Sequence, residues 1–344
     1  DLLLSGQLRV HIGTVDSDSS FLIKPDECAG EISVVDNKPP TAFVVVDQPS
    51  LVLVLPEETL WEDLLQVPSI AKNFMRMFAD RFRANNRAIQ DALEKQRRYE
   101  YLQKELAFAY DIQLGMLPHQ LNLGPTVDIA TGMQPAREVG GDFFDAFPVR
   151  PEEYAVVIGD ISGTGVPAAL FMVRTMTLLR TELLKDQPLA DAVVGLNRML
   201  HQDSAAGMFA TLVVGMFNRR TGRFDYVNAG HNPLILGERG TRYRALPAPS
   251  GPRIGIDRDA AFEVATVTLD KDDVLVLHTD GITAAKNDDQ ETFGPDRLLA
   301  CLEENSATSA GELADRINRT VHRFVAGAPQ SDDMTMVILR YPGA

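Results

Sequence analysis

The chain has 344 residues, of which 45% are apolar and 24% charged, and its formal net charge is −15. That length exceeds one ordinary core and predicts two domains with connections, in a folded rather than a disordered protein. The acidic balance disfavours nucleic acid and anionic membrane as partners, since both need a basic face, and no apolar run reaches the ~18 residues of a membrane span.

No basic segment followed by an apolar stretch opens the chain, and Cys28 and Cys301 form no metal-type pair. A reducing, cytoplasmic setting is therefore expected. The opening "DLLLSGQLRV" reads as mid-domain strand, so the natural N-terminus and any targeting segment are expected to lie upstream of it. Residues 1 to about 56 alternate short β-rich runs with turns, which predicts a small β-barrel or roll. A helical pattern first appears in "EETLWEDLL", behind Pro56.

From Pro68 to Leu117 there is no internal proline and no glycine before Gly115. Ile89, Ala92, Gln96 and Tyr99 form one seam at steps of 3 and 4, and Leu102, Leu106, Ala109, Gln113 and Met116 form a second. An extra step of 3 between Tyr99 and Leu102 puts the seams out of phase. The pattern predicts a helical linker of ~50 residues and ~75 Å, pairing as a weak coiled coil in a homodimer. A single amphipathic helix packed on its own domains is the alternative.

Residues 119 to 344 read as mixed α/β. Strands are predicted at 154–161, 208–217, 223–229, 232–236, 262–268, 273–278 and 334–341, and helices at 166–185, 189–201, 295–304 and 310–325. "NRRTGR" between two β runs marks a hairpin and hence antiparallel pairing, which favours an α+β layering over repeated βαβ units.

The stretch "VVIGDISGTGVPAAL" (156–170) contains a G-x-G-x-x-A pattern of the dinucleotide-binding kind. Asp160 argues against that reading, because its carboxylate would face the pyrophosphate. An acidic turn capping the following helix is a second reading. A metal site is the third, and other acids support it. "EVGGDFFDAF" offers Asp142 and Asp145 on a loop behind a glycine pair, "DVLVLHTDGITAA" offers Asp280, and "APQSDDMTMVIL" offers Asp332 and Asp333. Each lies at the margin of an apolar run. Carboxylates brought together without cations repel, and a hard divalent ion such as Mg²⁺ or Mn²⁺ relieves them. The six histidines show no H-E-x-x-H pair, so zinc chemistry is not indicated.

"VGGDFFD", "GDISGTGVPAAL", "NAGHNPLIL", "TDGITAA" and "DDMTMVIL", in this order, resemble the PPM (type 2C) protein phosphatases, and within them the bacterial SpoIIE/RsbU branch, over roughly residues 105 to 341. The resemblance implies an αββα fold, an antiparallel β-sandwich flanked by helix pairs. It implies two Mn²⁺ or Mg²⁺ ions, with Asp142 and Asp160 as the catalytic ligands and the Ile161 carbonyl as a backbone ligand. Asp280 and Asp332 would complete the outer shell, with Asp333 as the adjacent alternative. A bridging hydroxide would attack phosphoserine or phosphothreonine, and the substrate would be a phosphorylated anti-sigma-factor antagonist. His231 in "NAGHN" is read as structural. Thr164 stands where many members carry histidine or another polar residue, so leaving-group protonation would fall to metal-bound water. Neither cysteine has an arginine six residues on, so the tyrosine-phosphatase loop is absent. "GGDFF" also resembles the diguanylate-cyclase signature, but Phe143 replaces its glutamate. The competing functional class is a non-catalytic, sensor-driven dimeric scaffold.

Residues 1–68 resemble the later part of a cyclic-nucleotide-binding domain: "LLLSGQLRV", then "KPDECAGEISVVDNKPPTA", with Gly30-Glu31 at the glycine and ribose-binding glutamate. Pro40 stands where the phosphate-binding arginine is expected, and Asp26 where a turn glycine is usual. Losing that bidentate contact disfavours ordinary cyclic-nucleotide binding and leaves a sensory or dimerisation role. The expected organisation is thus 1–68 sensor, 69–117 linker and 118–344 phosphatase domain.

Overall fold

The computed structural model describes the whole chain except residues 16–19, 41, 119–126, 203–206, 240–241, 248–250, 305–308 and 344. Thr41, of the "TA" singled out above, and the first residues after the expected boundary at 118 therefore lie outside the described residues. The chain divides into two compact units, Asp1–Arg98 and Tyr99–Ala344. No described helix is long and apolar enough to cross a membrane.

In the first unit, β1 (Leu2–Ile12), β2 (Ser20–Ile23) and β3 (Ala42–Leu53) form an antiparallel sheet in the order β2-β1-β3. Alternate residues Leu8 and Val10 of β1 turn inward and pack with Leu3, Ile23 and Ala29, the period-two pattern of a sheet with one buried face. Asp26 adopts the left-handed conformation at φ 73°, the backbone state that a glycine would take without strain. Gly30, also left-handed at φ 82°, precedes α1 (Glu31–Asp36). The Glu31 carboxylate is buried and paired with Arg81, whose guanidinium also donates to the Cys28 carbonyl at 2.6 Å. A charge so buried is stable only with such a partner. The glutamate that resembles a ribose ligand is thus occupied by an arginine of this chain.

Short α2 (Glu57–Thr59) runs through a π-helical turn, Leu60–Leu64, towards α3 (Pro68–Met116). Helix α3 is unbroken for 49 residues, as its lack of proline and internal glycine dictates. Met75, Phe82 and Ile89 recur every seventh residue along it and are exposed, as are Tyr99 of the first seam, Leu102 and Met116 of the second, and Ile112 beside them.

The second unit is the expected αββα sandwich. One sheet runs β10-β9-β12-β13-β4 and the other β11-β8-β7-β6-β5, every pairing being antiparallel. Their ranges are β4 (Asp128–Gln134), β5 (Phe143–Arg150), β6 (Glu153–Ile161), β7 (Ala210–Asn218), β8 (Arg223–Ala229), β9 (Ile235–Glu238), β10 (Arg242–Ala245), β11 (Ala265–Thr268), β12 (Asp273–His278) and β13 (Met334–Tyr341). Helices α4 (Val166–Leu183) and α5 (Leu189–Gln202) cover the second sheet, and α7 (Gly294–Glu303) and α8 (Ala310–Val325) the first. The one-turn α6 (Asp280–Thr283) follows β12.

Strands buried on both faces read as continuous apolar runs, which is why β12 and β13 stood out in the sequence. Leu275, Leu277, Val337 and Leu339 face the inter-sheet core, whereas Val274, Val276, Met336 and Ile338 face α7 and α8. Strands β4, β5 and β10 were not foreseen, since their apolar patterns are short or broken by Gly, Pro and Asp. Asp145 accordingly lies within β5 rather than on a loop. It is 2% exposed and accepts from Arg180 of α4 at 2.8 and 3.0 Å, which makes it part of the packing.

Large rings cover strand glycines at three places. Phe143 lies opposite Gly159, Tyr243 opposite Gly237, and Phe224 over Gly215. A Cβ at Gly159 would stand 2.6 Å from the Phe143 ring. Gly159→Ala is expected to destabilise the unit by about 1–3 kcal/mol through overpacking, read as a lower denaturant midpoint at unchanged slope, and Phe143→Leu in the same chain should recover part of the loss.

Candidate metal centre

The register that pins Phe143 against Gly159 also sets the site, because Asp142 precedes the one and Asp160 follows the other. Both acids therefore emerge at the same end of the β5–β6 pair. Asp160 lies opposite Thr211 of β7. In the other sheet β12 and β13 pair as far as His278↔Met336, so Thr279-Asp280 and Asp332-Asp333 leave at matching ends.

Charge shows how these acids are coupled. Asp142 is 2% exposed, and its pKa is held well above the ordinary carboxylate range, first by burial and then by the charge of Asp160. The Asp160 pKa is pushed up to about 7 by burial, then by Asp280, Asp332 and Asp333. Asp332 is raised too, by burial and by Asp280 and Asp333, against a lowering contact with the Asp333 backbone. The five candidate carboxylates are thus linked by charge, Asp142 to Asp160 and Asp333, Asp160 to Asp280, Asp332 and Asp333, and Asp332 to Asp280 and Asp333. No lysine or arginine figures among the causes of these shifts.

The hydrogen bonds separate their roles. Thr279 donates through Oγ1 to Asp142 Oδ2 at 2.8 Å and accepts from the Thr335 amide at 3.0 Å, tying the two sheets together at the site. Asp333, 8% exposed, accepts from the Ala136 amide on Oδ1 at 2.8 Å. Its Oδ2 accepts from Gly141 at 2.7 Å and Asp142 at 3.4 Å. Its oxygens are committed to the loop before β5. Asp332 is only half-buried and takes just the Asp333 amide, at 2.9 Å, on Oδ1, so of the adjacent pair it is the one with free donor capacity. A Cβ on Gly140 would collide with the Asp333 carboxylate, and one on Gly141 would stand 3.0 Å from the Ile161 carbonyl oxygen. The glycine pair is therefore a requirement of close approach, which also brings the Ile161 carbonyl to this loop.

Among the described residues no three Asp, Glu, His or Cys side chains close around a single point as a ready chelate. The acids form a spread cluster. Its donor set of hard carboxylate and carbonyl oxygens, under mutual repulsion without opposing cations, fits a divalent ion of the Mg²⁺ or Mn²⁺ kind.

His231 is buried and neutral, its pKa lowered to about 3 by burial and then by His278. Its ring contacts the Thr211 hydroxyl at 2.9 Å, and Asn228 accepts from its amide at 2.8 Å. "NAGHN" is thus a braced turn between β8 and β9. A cavity of about 270 Å³ opens beside it, lined in part by Asp160, Asp280, Thr211, His231, Phe209 and Arg253.

Sequence reasoning passed over Thr279, which stands directly before Asp280, and the role of Gln113. Gln113 is the buried residue of α3, and its side chain donates to the Gly140 carbonyl at 2.6 Å and accepts from the Gly140 amide at 3.2 Å. Its signal was a glutamine set in an apolar seam. Gln113→Ala is expected to speed hydrogen exchange of the Gly140–Asp142 amides, leaving the β6 and β7 amides protected. A second outcome concerns Asp160. With a folded-state pKa above the unfolded value, folding takes up a proton between about pH 4 and about pH 7, so stability without metal falls as pH rises through that window. In a chelator, Asp160→Asn should melt above the wild type at neutral pH and show a flatter dependence of Tm on pH.

The family model of Stage II sporulation protein E, SpoIIE, matches residues 150–342. Asp160, Asp280, Asp332 and Asp333 lie within the match, and Asp142 just before it. Protein IcfG of Synechocystis sp. (strain ATCC 27184 / PCC 6803 / Kazusa) is 30% identical over 261 residues, 68% of this chain and 41% of IcfG. Phosphoserine phosphatase RsbU of Bacillus subtilis (strain 168) is 28% identical over 242 residues, 70% of each. The chain thus spans about two-fifths of IcfG and more than two-thirds of RsbU. The SiaA-PP2C domain of Pseudomonas aeruginosa shares the fold with a TM-score of 0.62 at 23% identity, over 71% of this chain and 98% of that domain. With the family match covering more than half of its length, the chain belongs to the SpoIIE family.

Proposed function

We propose that the protein is a metal-dependent protein serine/threonine phosphatase that acts on a phosphorylated partner-switching protein, an anti-sigma-factor antagonist. The observation that carries this reading is the cluster of five carboxylates, coupled by charge and without an ion pair to lysine or arginine among the described residues, at the ends of strands from both sheets. The similarity to RsbU, a phosphoserine phosphatase, supports the substrate class.

Asp142 and Asp160 would hold two Mn²⁺ or Mg²⁺ ions, with Asp280 and Asp332 as further donors and the Ile161 carbonyl as a backbone donor. When bound, such a pair supplies Lewis-acid charge to the phosphoryl oxygens and makes hydroxide available from water at neutral pH. The chain's own contribution is positioning. Thr279 directs one oxygen of Asp142, Asp333 and Gln113 fix the loop that carries it, and His231, neutral and braced, shapes the adjacent cavity. The shared end of the two sheets leaves the cavity open at Asp160 and Asp280 for a phosphorylated side chain.

The exposed apolar residues of α3 support pairing of two copies through that helix. Residues 1–68 then form a sensory or dimerisation unit, whose Glu31 is held by Arg81 of α3 away from a cyclic nucleotide.

The test is phosphate release from a phosphoserine peptide. Wild-type protein should turn over only with Mn²⁺ or Mg²⁺ present, and Asp142→Asn should lower kcat by at least about a hundredfold, in line with loss of metal-borne charge stabilisation. Mn²⁺ should raise the Tm of the wild type and not that of Asp142→Asn. A folded wild type that binds Mn²⁺ without hydrolysing any phosphopeptide would favour a scaffold.

A further inference from the structure

The cavity beside the acidic cluster contains one feature that the metal reading does not use. Arg253 lines it together with Asp160 and Asp280. Yet among the described residues neither acid forms an ion pair with Arg253, and no other carboxylate does. A guanidinium that shares a small cavity with carboxylates would ordinarily collapse onto one of them, unless its backbone and stem hold it back.

The backbone does hold it. Gly251 donates its amide to the Asn228 carbonyl at 3.0 Å, and Ile254 exchanges both backbone hydrogen bonds with Ala210, at 2.9 and 3.0 Å. Arg253 lies between these two anchors. Its stem crosses Gly230, where a Cβ would stand 2.7 Å from Arg253 Cγ, and Gly230 is itself left-handed at φ 72°. Its guanidinium carbon lies 4.9 Å from the centre of the Phe209 ring, within cation–π range. Arg253 is exposed, with its stem beside Gly230 and its charge over the Phe209 ring, and the planar donor edge is left without a protein acceptor among the described residues. Gly230 of "NAGHN" thereby acquires a purpose: it gives the arginine room to pass.

We propose that Arg253 is the substrate's phosphoryl receptor, taking non-bridging oxygens of the phosphomonoester within the cavity it shares with Asp160 and Asp280. The chemistry is that of a planar fork of N–H donors facing a dianion, which favours arginine over lysine. Asp160, Asp280 and Arg253 line one cavity of about 270 Å³, which would hold an anion between the guanidinium and cations borne by the acids. This assignment rests on the phosphatase reading and names the contact that discriminates a phosphorylated from an unphosphorylated side chain at that site.

Full-length wild type, Arg253→Ala and Arg253→Lys would be compared with Mn²⁺ on a phosphoserine peptide and on p-nitrophenyl phosphate, with inorganic phosphate as inhibitor. Loss of a charge-assisted contact should raise KM for both substrates, and weaken phosphate inhibition, by about tenfold to a hundredfold. Arg253→Lys should recover part of this, and the Mn²⁺-induced rise in Tm should stay as in wild type. Unchanged phosphate inhibition overturns the assignment, as does an effect confined to the peptide, which would place Arg253 on residues flanking the phosphoserine. Absence of turnover in the wild type would count against the phosphatase reading instead. Stabilisation by phosphate in the presence of Mn²⁺, present in wild type and lost in Arg253→Ala, still decides the role of Arg253 in that case.

Discussion

A carboxylate buried beside other carboxylates is the constraint around which this fold is arranged. Asp142 is almost fully removed from water, within the field of Asp160 and Asp333, and no lysine or arginine contributes to its pKa. Desolvating a charge costs several kcal/mol, against a net stability of only about 5–15 kcal/mol for a typical domain. The surroundings limit that cost without abolishing it. Thr279 donates to one oxygen, and the raised pKa values of Asp142 and Asp160 record the strain that remains. On the proposed function a divalent cation would offset that penalty, so the energetic cost and the chemistry would have one origin.

Much of the local architecture follows from placing that carboxylate. The Phe143–Gly159 pair sets the register that brings Asp142 and Asp160 to the same strand end, and it needs a glycine for the ring to lie over. The glycine pair 140–141 lets the loop come against Asp333 and the Ile161 carbonyl, and Gly281 lets α6 pass against the Asp333 backbone. Adjacent aspartates are divided by geometry. Asp333 spends its oxygens on three backbone amides, whereas Asp332 keeps donor capacity at the surface of the cluster. One acid is thus committed to the backbone, and its neighbour is not.

Helix α3 enters each unit through a polar side chain. In the first, Arg81 neutralises the buried Glu31, and in the second Gln113 takes both backbone groups of Gly140, two residues before Asp142. The helix is therefore tied, in the unit that holds the acids, to the backbone of the loop that carries one of them. Peptide groups of a buried loop must find partners, and a glutamine amide satisfies a donor and an acceptor at once.

Periodicity and punctuation alone determined most of the elements. The continuous runs of β6, β12 and β13 announced strands buried on both faces, the turn "NRRTGR" announced the β7–β8 hairpin, and a glycine- and proline-free stretch announced α3. Ordered motifs pointed to the family and to Asp142, Asp160, Asp280, Asp332 and Asp333 as one set. Strands β4, β5 and β10 were hidden because their patterns are short or interrupted, and Asp145 was misplaced on a loop for that reason. Only the tertiary structure decided which acid spends itself on backbone amides, that Arg180 claims Asp145 and Arg81 claims Glu31, and that Arg253, beside the acids, has no ion-pair partner among the described residues. Such roles depend on contacts between residues tens to hundreds of positions apart, and neither spacing nor residue type encodes which of several equal carboxylates a distant amide or guanidinium will reach.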